Sequence, residues 1–411
     1  MTKQAITHQT LDKHIYSNDM SEYTNSIDPK EKKVVLDKSF NCSNSLTEDF
    51  EIQVVTKNGK PCYTLKKFHQ IILARNLTSN IRSPLKKTKS RNEISRQLSQ
   101  HLKEGTSYRI YRLDIKSFFE SIEVETIKKA LIHKGISNQT KILIEKIISG
   151  VHRSEGVGLP RGLEFSPSLA ELILQEFDNK VRTQNDIFFY SRYVDDIIII
   201  SSGVEDRKKF LRLIKSFLPY ELSFNYNKQK IIDVPKRKHT YSEVAAFEYL
   251  GYEYRVEDNQ LQDKGGSQAV FREIRVCLSK SKIKKIKTRI YKAIYCYINT
   301  GDYDLLEDRL SFLTSNRLMK DKKTSKVFAT GLYYSNVNID SNSRSLKNID
   351  NFLRGLILKN PMISRVANSY ALSNNQKRLL LNYSFEKGFL NNNYKRFSPE
   401  RLRLIKDAWR Y

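Results

Sequence analysis

Asp195 and Asp196 interrupt an otherwise apolar run, Phe188-Phe-Tyr-Ser-Arg-Tyr-Val-Asp-Asp-Ile-Ile-Ile-Ile-Ser-Ser202. The β-branched and aromatic residues on either side read as two strands, with both aspartates at the tight turn between them. A third carboxylate, Asp114, ends a similar run, Tyr108-Arg-Ile-Tyr-Arg-Leu-Asp114, and a helix-like stretch follows it. Unpaired carboxylates beside buried strands are costly, so these three need a cation, and a divalent metal is the obvious one. For the Asp-Asp pair alone, a hairpin turn facing water is the plain alternative. Two strands tipped with aspartate are what two-metal phosphoryl transfer needs. One ion activates an attacking 3′-hydroxyl and the other holds the triphosphate and the leaving oxygen.

Around these strands the chain resembles the reverse transcriptases. Leu113-Asp-Ile-Lys-Ser-Phe-Phe-Glu-Ser-Ile122 resembles their motif A, and Tyr193-Val-Asp-Asp196 their motif C. Between them, Gly158-Leu-Pro-Arg-Gly-Leu-Glu-Phe-Ser-Pro-Ser-Leu-Ala-Glu171 resembles motif B. Phe224-Asn-Tyr-Asn-Lys-Gln-Lys230 is similar to motif D, and Phe247-Glu-Tyr-Leu-Gly-Tyr252 to the primer-grip motif E. The five stand in the family's order, which makes the resemblance specific. A Tyr-x-Asp-Asp by itself is weak.

The resemblance implies an α+β right-hand polymerase with an antiparallel palm sheet, fingers and a helical thumb. It would add deoxynucleotides to a 3′-hydroxyl on an RNA template with two Mg²⁺ ions, Mn²⁺ being able to substitute. Asp114 and Asp195 are then direct metal ligands with the carbonyl of Ile115, and Asp196 is more peripheral. Lys228, with Lys230 as near rival, aligns with the lysine that protonates the leaving pyrophosphate, although a plain counter-charge reads equally well there. Phe119 falls at the ring that excludes a ribose 2′-hydroxyl, leaving Phe118 to the core. Arg161 and Gly162 are implied nucleotide contacts, and Gly158, Tyr193, Leu250 and Gly251 primer or template contacts. Arg161 stands where the family most often has Gln. Together with Glu171 it resembles defence-associated bacterial reverse transcriptases of the retron and group II intron-like lineage, in particular the smaller polymerase of two-polymerase systems. That likeness implies a dedicated non-coding RNA, a DNA product, an antiphage role and a second reverse transcriptase as a partner.

The rest of the chain must position these residues. Glu51 to Lys60 reads as a strand running into an Asn-Gly hairpin turn, and Leu65, Phe68, Ile72 and Leu77 then follow helical spacing. Gly158 and Gly162 let backbone come close to a base pair. Ser166-Pro167 opens a helix as N-cap and N1, with Leu169, Leu172, Ile173 and Phe177 on its inner face. Residues 52–92 and 274–301 contain no acidic residue. In the first stretch Arg91, with Lys86 and Lys87, is the expected triphosphate contact. In the second, Ile283, Ile286, Ile290 and Ile294 line one side of a helix. Lys282, Lys284, Lys285, Lys287 and Arg289 surround the rest, which suits a thumb gripping a phosphate backbone. A solvated basic face or a membrane-surface helix are the other readings of that pattern. Residues 1–50 read as a loose arm or an extension wrapped over the body, Gln262–Gly266 as a linker, and 303–380 as helical with a break at Asn336–Asn348. A last helix opens at Ser398-Pro399. The expected order is an N-terminal extension (1–64), fingers (65–107), palm (108–260, with part of the fingers at 123–157), thumb (261–330) and a helical C-terminal region (331–411).

Composition bounds the remaining choices. The 411 residues suit two or three subdomains. Lys and Arg number 72 against 45 Asp and Glu, a net +27 that points to a polyanionic partner. Cys42, Cys62, Cys277 and Cys296 have no Cys-x-x-Cys spacing and read as free thiols in a reducing cytoplasm, with no zinc site. The first residues lack an apolar signal core, and no apolar run approaches 18 residues, so secretion and a membrane span are not expected. A retron reverse transcriptase, an RNA-templated RNA polymerase and a non-catalytic RNA-binding module stay open as alternatives.

Overall fold

The computed structural model describes residues 4–16, 19–23, 28–45, 47–57, 59–154, 156–238, 240–262, 268–321, 325–341, 343–359 and 370–410. The chain divides into two compact units. Residues 1–89, 108–233 and 322–325 form the first, and 90–107, 234–321 and 326–411 the second. The structure is mixed α and β, with antiparallel strand pairs and many helices.

In chain order the elements begin with α1 (His8–Asp12), α2 (Asp19–Tyr23) and α3 (Pro29–Asn44). The hairpin of β1 (Ile52–Lys57) and β2 (Lys60–Leu65) and the helix α4 (Phe68–Arg82) follow. Next come α5 (Arg91–His101), which belongs to the second unit, and then β3 (Tyr108–Asp114), α6 (Phe118–Ser121), α7 (Val124–His133), α8 (Asn138–Arg153) and α9 (Ser166–Arg182). The first unit ends with β4 (Ile187–Tyr193), β5 (Asp196–Ser201), α10 (Arg207–Ser216) and β6 (Lys230–Val234), the last crossing the division by one residue.

A four-stranded sheet in the order β4-β5-β3-β6 carries the aspartates. β5 is flanked on both edges, and Ile197 to Ile200 have no accessible surface, which is why four isoleucines can run consecutively. Each buried isoleucine contributes about 1.5–3 kcal/mol. Together they outweigh the cost of holding carboxylates at the strand end. Ile197 and Ile199 join one core with Ile72 and Leu77 of α4, Leu143 and Ile147 of α8, and Leu169 and Phe177 of α9.

Of the two readings of the first fifty residues, the described ones follow the extension packed on the body. Asp28 caps α3 on Lys30 N–H at 2.9 Å, and Leu11 and Cys42 are buried in the same core. α3 is hard to read because polar Ser39 and Ser43 are buried beside Cys42, the Ser39 hydroxyl bonding the carbonyls of Val35 and His69. Leu65, Phe68, Ile72 and Leu77 are all buried as expected, although Leu65 ends β2 and the helix starts at Phe68.

The second unit continues with β7 (Ser242–Tyr249), β8 (Tyr252–Gln262) and β9 (Gln268–Leu278), an antiparallel sheet in that order. Then come α11 (Lys280–Thr300), α12 (Tyr303–Thr314), the hairpin of β10 (Asn316–Lys320) and β11 (Val327–Gly331), α13 (Arg344–Lys359), α14 (Asn374–Leu380), α15 (Phe385–Leu390) and α16 (Pro399–Asp407). Residues 263–266 of the expected linker lie outside the described residues, but β8 and β9 pair from Tyr252↔Leu278 through Gln262↔Gln268. The two units meet after residue 233, with β7–β9 in the second. α5 joins this sheet through Tyr254 Oη to Ser95 Oγ (2.7 Å), and Arg272 reaches the Glu104 carbonyl (2.9 Å). The basic helix starts at Lys280, since residues 274–278 finish β9. The β10–β11 hairpin interrupts what reads in sequence as continuous helix.

Candidate active site

Asp195 owes its position to a strained turn. β4 and β5 pair up to Tyr193↔Asp196, leaving Val194 and Asp195 to turn the chain. Val194 adopts φ +60°, a left-handed conformation that β-branched residues avoid. The surroundings enforce it. Arg192 Nη1 donates to the Val194 carbonyl at 2.9 Å, and the Ile115 amide donates to the Asp195 carbonyl at 3.1 Å. Arg192 itself is buried and bonds both oxygens of Glu171 (2.8 and 3.0 Å) and of Asp178 (2.8 and 2.9 Å), tying α9 to the turn. Breaking a buried ion pair of this kind costs about 3–5 kcal/mol.

β3 brings Asp114 directly opposite Asp196. The loop before β6 is stitched to the same point: Asn225 N–H bonds the Asp114 carbonyl (2.7 Å), and Lys116 N–H the Ser223 carbonyl (2.9 Å). This places Lys228 Nζ 2.9 Å from Asp114 Oδ1, favouring Lys228 over Lys230, which begins β6. Burial, and then repulsion from Asp195, pushes Asp196 up to about 6. Burial also raises Asp195, with Asp114 adding to the rise. The hydrogen bond to Asp114 holds the Lys228 ammonium in its charged form. Lys228 pulls both aspartates down, with Arg161 adding at Asp195 and Arg112 at Asp196, yet both stay raised. Three carboxylates with that deficit of positive charge are a donor set that fits hard divalent cations.

Beside the carboxylates lies a cavity of about 590 Å³, lined among others by Arg82, Lys86, Lys87, Phe119, Tyr193 and Val194. Phe119 keeps 9% of its surface exposed there, while Phe118 is buried in the core at 1%. The loop from Gly158 to Gly162 closes against the backbone of Phe119. Leu159 N–H bonds the Phe119 carbonyl at 2.7 Å, and a Cβ on Gly158 (φ +63°) would clash with that oxygen. Ser166 is not the N-cap. α9 starts at Ser166 itself, and its hydroxyl turns back to the Pro160 carbonyl at 2.5 Å, bracing the loop. The inner-face residues Leu169, Leu172, Ile173 and Phe177 are buried as expected.

Residues 56–254 match the family model described as reverse transcriptase (RNA-dependent DNA polymerase). Over this stretch, just under half of the chain, the protein is similar to the reverse transcriptases. Among solved structures the chain is similar to apo telomerase of Candida tropicalis truncated from the C-terminal domain (14% identity, 50% of this chain and 53% of that one, TM-score 0.32). It is also similar to apo telomerase of Candida tropicalis (14%, 88% and 65%, TM-score 0.35). A third is telomerase of Candida albicans in complex with a fragment of telomeric RNA (11%, 90% and 62%, TM-score 0.33). The chain thus spans about half to two thirds of the length of these structures.

Several expected site residues of the matched stretch and its flanks find other partners. Arg91 lies in the second unit, donates to Tyr252 Oη (3.2 Å) and the Ser335 carbonyl, and stacks over the Tyr252 ring. These are its partners in the structure without nucleotide. Arg82, at the end of α4, lines the cavity, and in sequence it is only one of several basic residues in an acid-free stretch. Arg161 pairs with Glu120 and Glu171 with Arg192. Leu250 (φ +48°) and Gly251 (φ +78°) make the two-residue turn between β7 and β8.

On α11, Lys284 and Lys285 are exposed, whereas Lys287 is half-buried and bonds Asn348 Oδ1 at 3.2 Å. Lys282 is not on the solvated face. Burial holds it down to about 8, and Nζ bonds Asn336 Oδ1 at 2.7 Å.

Cys42, which the sequence reads as a free thiol, lies with donor atoms of Glu48 and His69 inside 4.8 Å. His69 Nε2 bonds Glu48 Oε1 at 3.1 Å. The thiol, pushed up to about 12 by burial first and then by that carboxylate, bonds Glu48 as well. The three groups satisfy one another. No described helix is long and apolar enough to cross a membrane.

Proposed function

We propose that the chain is an RNA-directed DNA polymerase that extends a 3′ end with deoxynucleotides on a dedicated non-coding RNA, and that it serves antiviral defence in a bacterial cytoplasm. One observation carries the polymerase reading: Asp114 and the Asp195-Asp196 turn converge at one end of a buried sheet beside a cavity with a basic rim. Asp114, Asp195 and the Ile115 carbonyl would hold Mg²⁺, or Mn²⁺ in its place, with Asp196 at the margin. When bound, the two ions supply activation of the attacking hydroxyl and neutralisation of the leaving oxygens.

The chain's own residues do the rest. Lys86, with Arg82 and Lys87, faces the triphosphate across the cavity. Phe119 presses on the sugar, and Gly162 keeps the neighbouring loop without a side chain. Lys228 changes partner from Asp114 and donates a proton to the departing pyrophosphate. Gly158 and Tyr193 border the template–primer, Leu250 and Gly251 turn the primer grip, and Lys284, Lys285 and Lys287 meet backbone phosphates. The defence role, the non-coding template and a second reverse transcriptase as partner rest on the likeness of the motifs around Arg161 and Glu171. Sequencing the nucleic acid that co-purifies from the native host tests the reading. A single RNA species with complementary DNA attached supports it, and bulk cellular RNA without DNA counts against it.

A further inference from the structure

Arg161 occupies the slot where the family most often has Gln, and its surroundings say what it does. Nε and Nη2 donate to the two oxygens of Glu120 at 2.8 and 3.1 Å, a two-pronged pair. The guanidinium carbon lies 4.9 Å from the centre of the Phe119 ring, within cation–π range. Glu120 is the residue after Phe119, so one ion pair grips the ring from its face and from its own backbone. The pair is anchored from a third side by β2. Tyr63 N–H bonds the Arg161 carbonyl at 2.7 Å, and Lys60 Nζ approaches Glu120 Oε1 at 3.3 Å. Gly162, at φ +98°, makes this possible, because a Cβ there would come within 2.6 Å of the Tyr63 carbonyl. On its other side the ring meets Phe118 edge-on at 5.5 Å. The remaining direction is the cavity.

We propose that Arg161, through its ion pair with Glu120 and its stacking on Phe119, is a positioning residue for the sugar gate and so sets the choice between deoxy- and ribonucleotides. The inference rests on the polymerase reading above. It gives Arg161 a role other than the direct nucleotide contact expected from the family. A ring excludes a 2′-hydroxyl only if it cannot yield, and the clamp removes that freedom. A glutamine at 161 could not reproduce either the charge over the ring or the two-pronged bond.

The test compares kcat/KM for dNTP and rNTP on one RNA template in wild type, Arg161→Gln, Glu120→Gln, the double variant and the exchange Arg161→Glu/Glu120→Arg. Each single variant should lose about tenfold of the sugar preference, equivalent to about 1.4 kcal/mol. The double variant should lose no more than either single one, and the exchange should recover part of the loss. Equal loss for both sugars in Arg161→Gln, or losses that add in the double variant, would overturn the proposal. A fluorine-labelled phenylalanine at position 119 reads the ring by NMR whether or not the protein polymerises. The fluorine signal should shift or broaden in both single variants, and an unchanged signal would overturn the clamp. If wild type incorporates no deoxynucleotide while the fluorine signal responds, the polymerase reading fails and the clamp does not.

Discussion

Asp196→Asn should make the metal-free protein more stable at neutral pH. The folded protein raises the Asp196 carboxyl from 3.8 to about 6, first through burial and then through the neighbouring Asp195. Between these two values the folded state binds more protons than the unfolded state, so stability falls as pH rises through that window. Below about 4 the penalty is absent, and above about 6 it is complete. A rise of roughly two units corresponds to about 3 kcal/mol. At about 2–4 °C per kcal/mol for a unit of this size, the asparagine variant should melt about 5–10 °C higher in EDTA at pH 7.5. The gain should shrink steadily as pH approaches 4, because asparagine replaces a carboxyl that is then neutral anyway. Saturating Mg²⁺ should narrow the gap at pH 7.5 by stabilising wild type, whose carboxylates hold the ion. Equal melting of the two proteins in EDTA at pH 7.5 would refute the reasoning, and so would a gain that does not change with pH.

The geometry leads to three further outcomes. Arg192→Leu strands Glu171 and Asp178 and frees the Val194 carbonyl, so chemical denaturation should show a loss of about 3–5 kcal/mol. Lys284→Gln with Lys285→Gln should flatten the dependence of log K on log salt for template–primer binding. The slope should change by about 0.7–0.9 for each phosphate that is no longer neutralised, read by titration at several salt concentrations. Phe119→Val should cut the deoxy-over-ribo ratio of kcat/KM by about 10²-fold, worth about 2.7 kcal/mol, while deoxynucleotide incorporation persists.

The catalytic end of the fold is legible in the residues because its chemistry conflicts with its surroundings. Carboxylates at the ends of Ile- and Tyr-rich strands admit few placements, and the register Asp114↔Asp196 follows once both strands pair. What the sequence conceals is long-range partnership. Arg192 sits in plain view within the apolar run, yet its bonds to Glu171 and Asp178 span 21 and 14 residues and leave no local periodic signal. The partners of Arg91 are concealed for the same reason, since only the packing of α5 on β8 brings it to Tyr252. α3 escapes notice because two of the side chains it buries, Ser39 and Ser43, are polar and give no apolar period. The units meet near the basic stretch Pro235-Lys-Arg-Lys238 between β6 and β7, which reads in sequence as one more connection between strands.

The central claim is that Asp114, Asp195 and Asp196 form a metal-dependent nucleotidyl-transfer centre, and Asp195→Asn tests it most directly. Primer extension with labelled deoxynucleotide on an RNA template, with Mg²⁺ or Mn²⁺, should show incorporation by wild type and none by the variant. The variant should still bind the RNA and melt cooperatively. Incorporation by the variant above a few per cent of wild type, with either ion, would contradict the account.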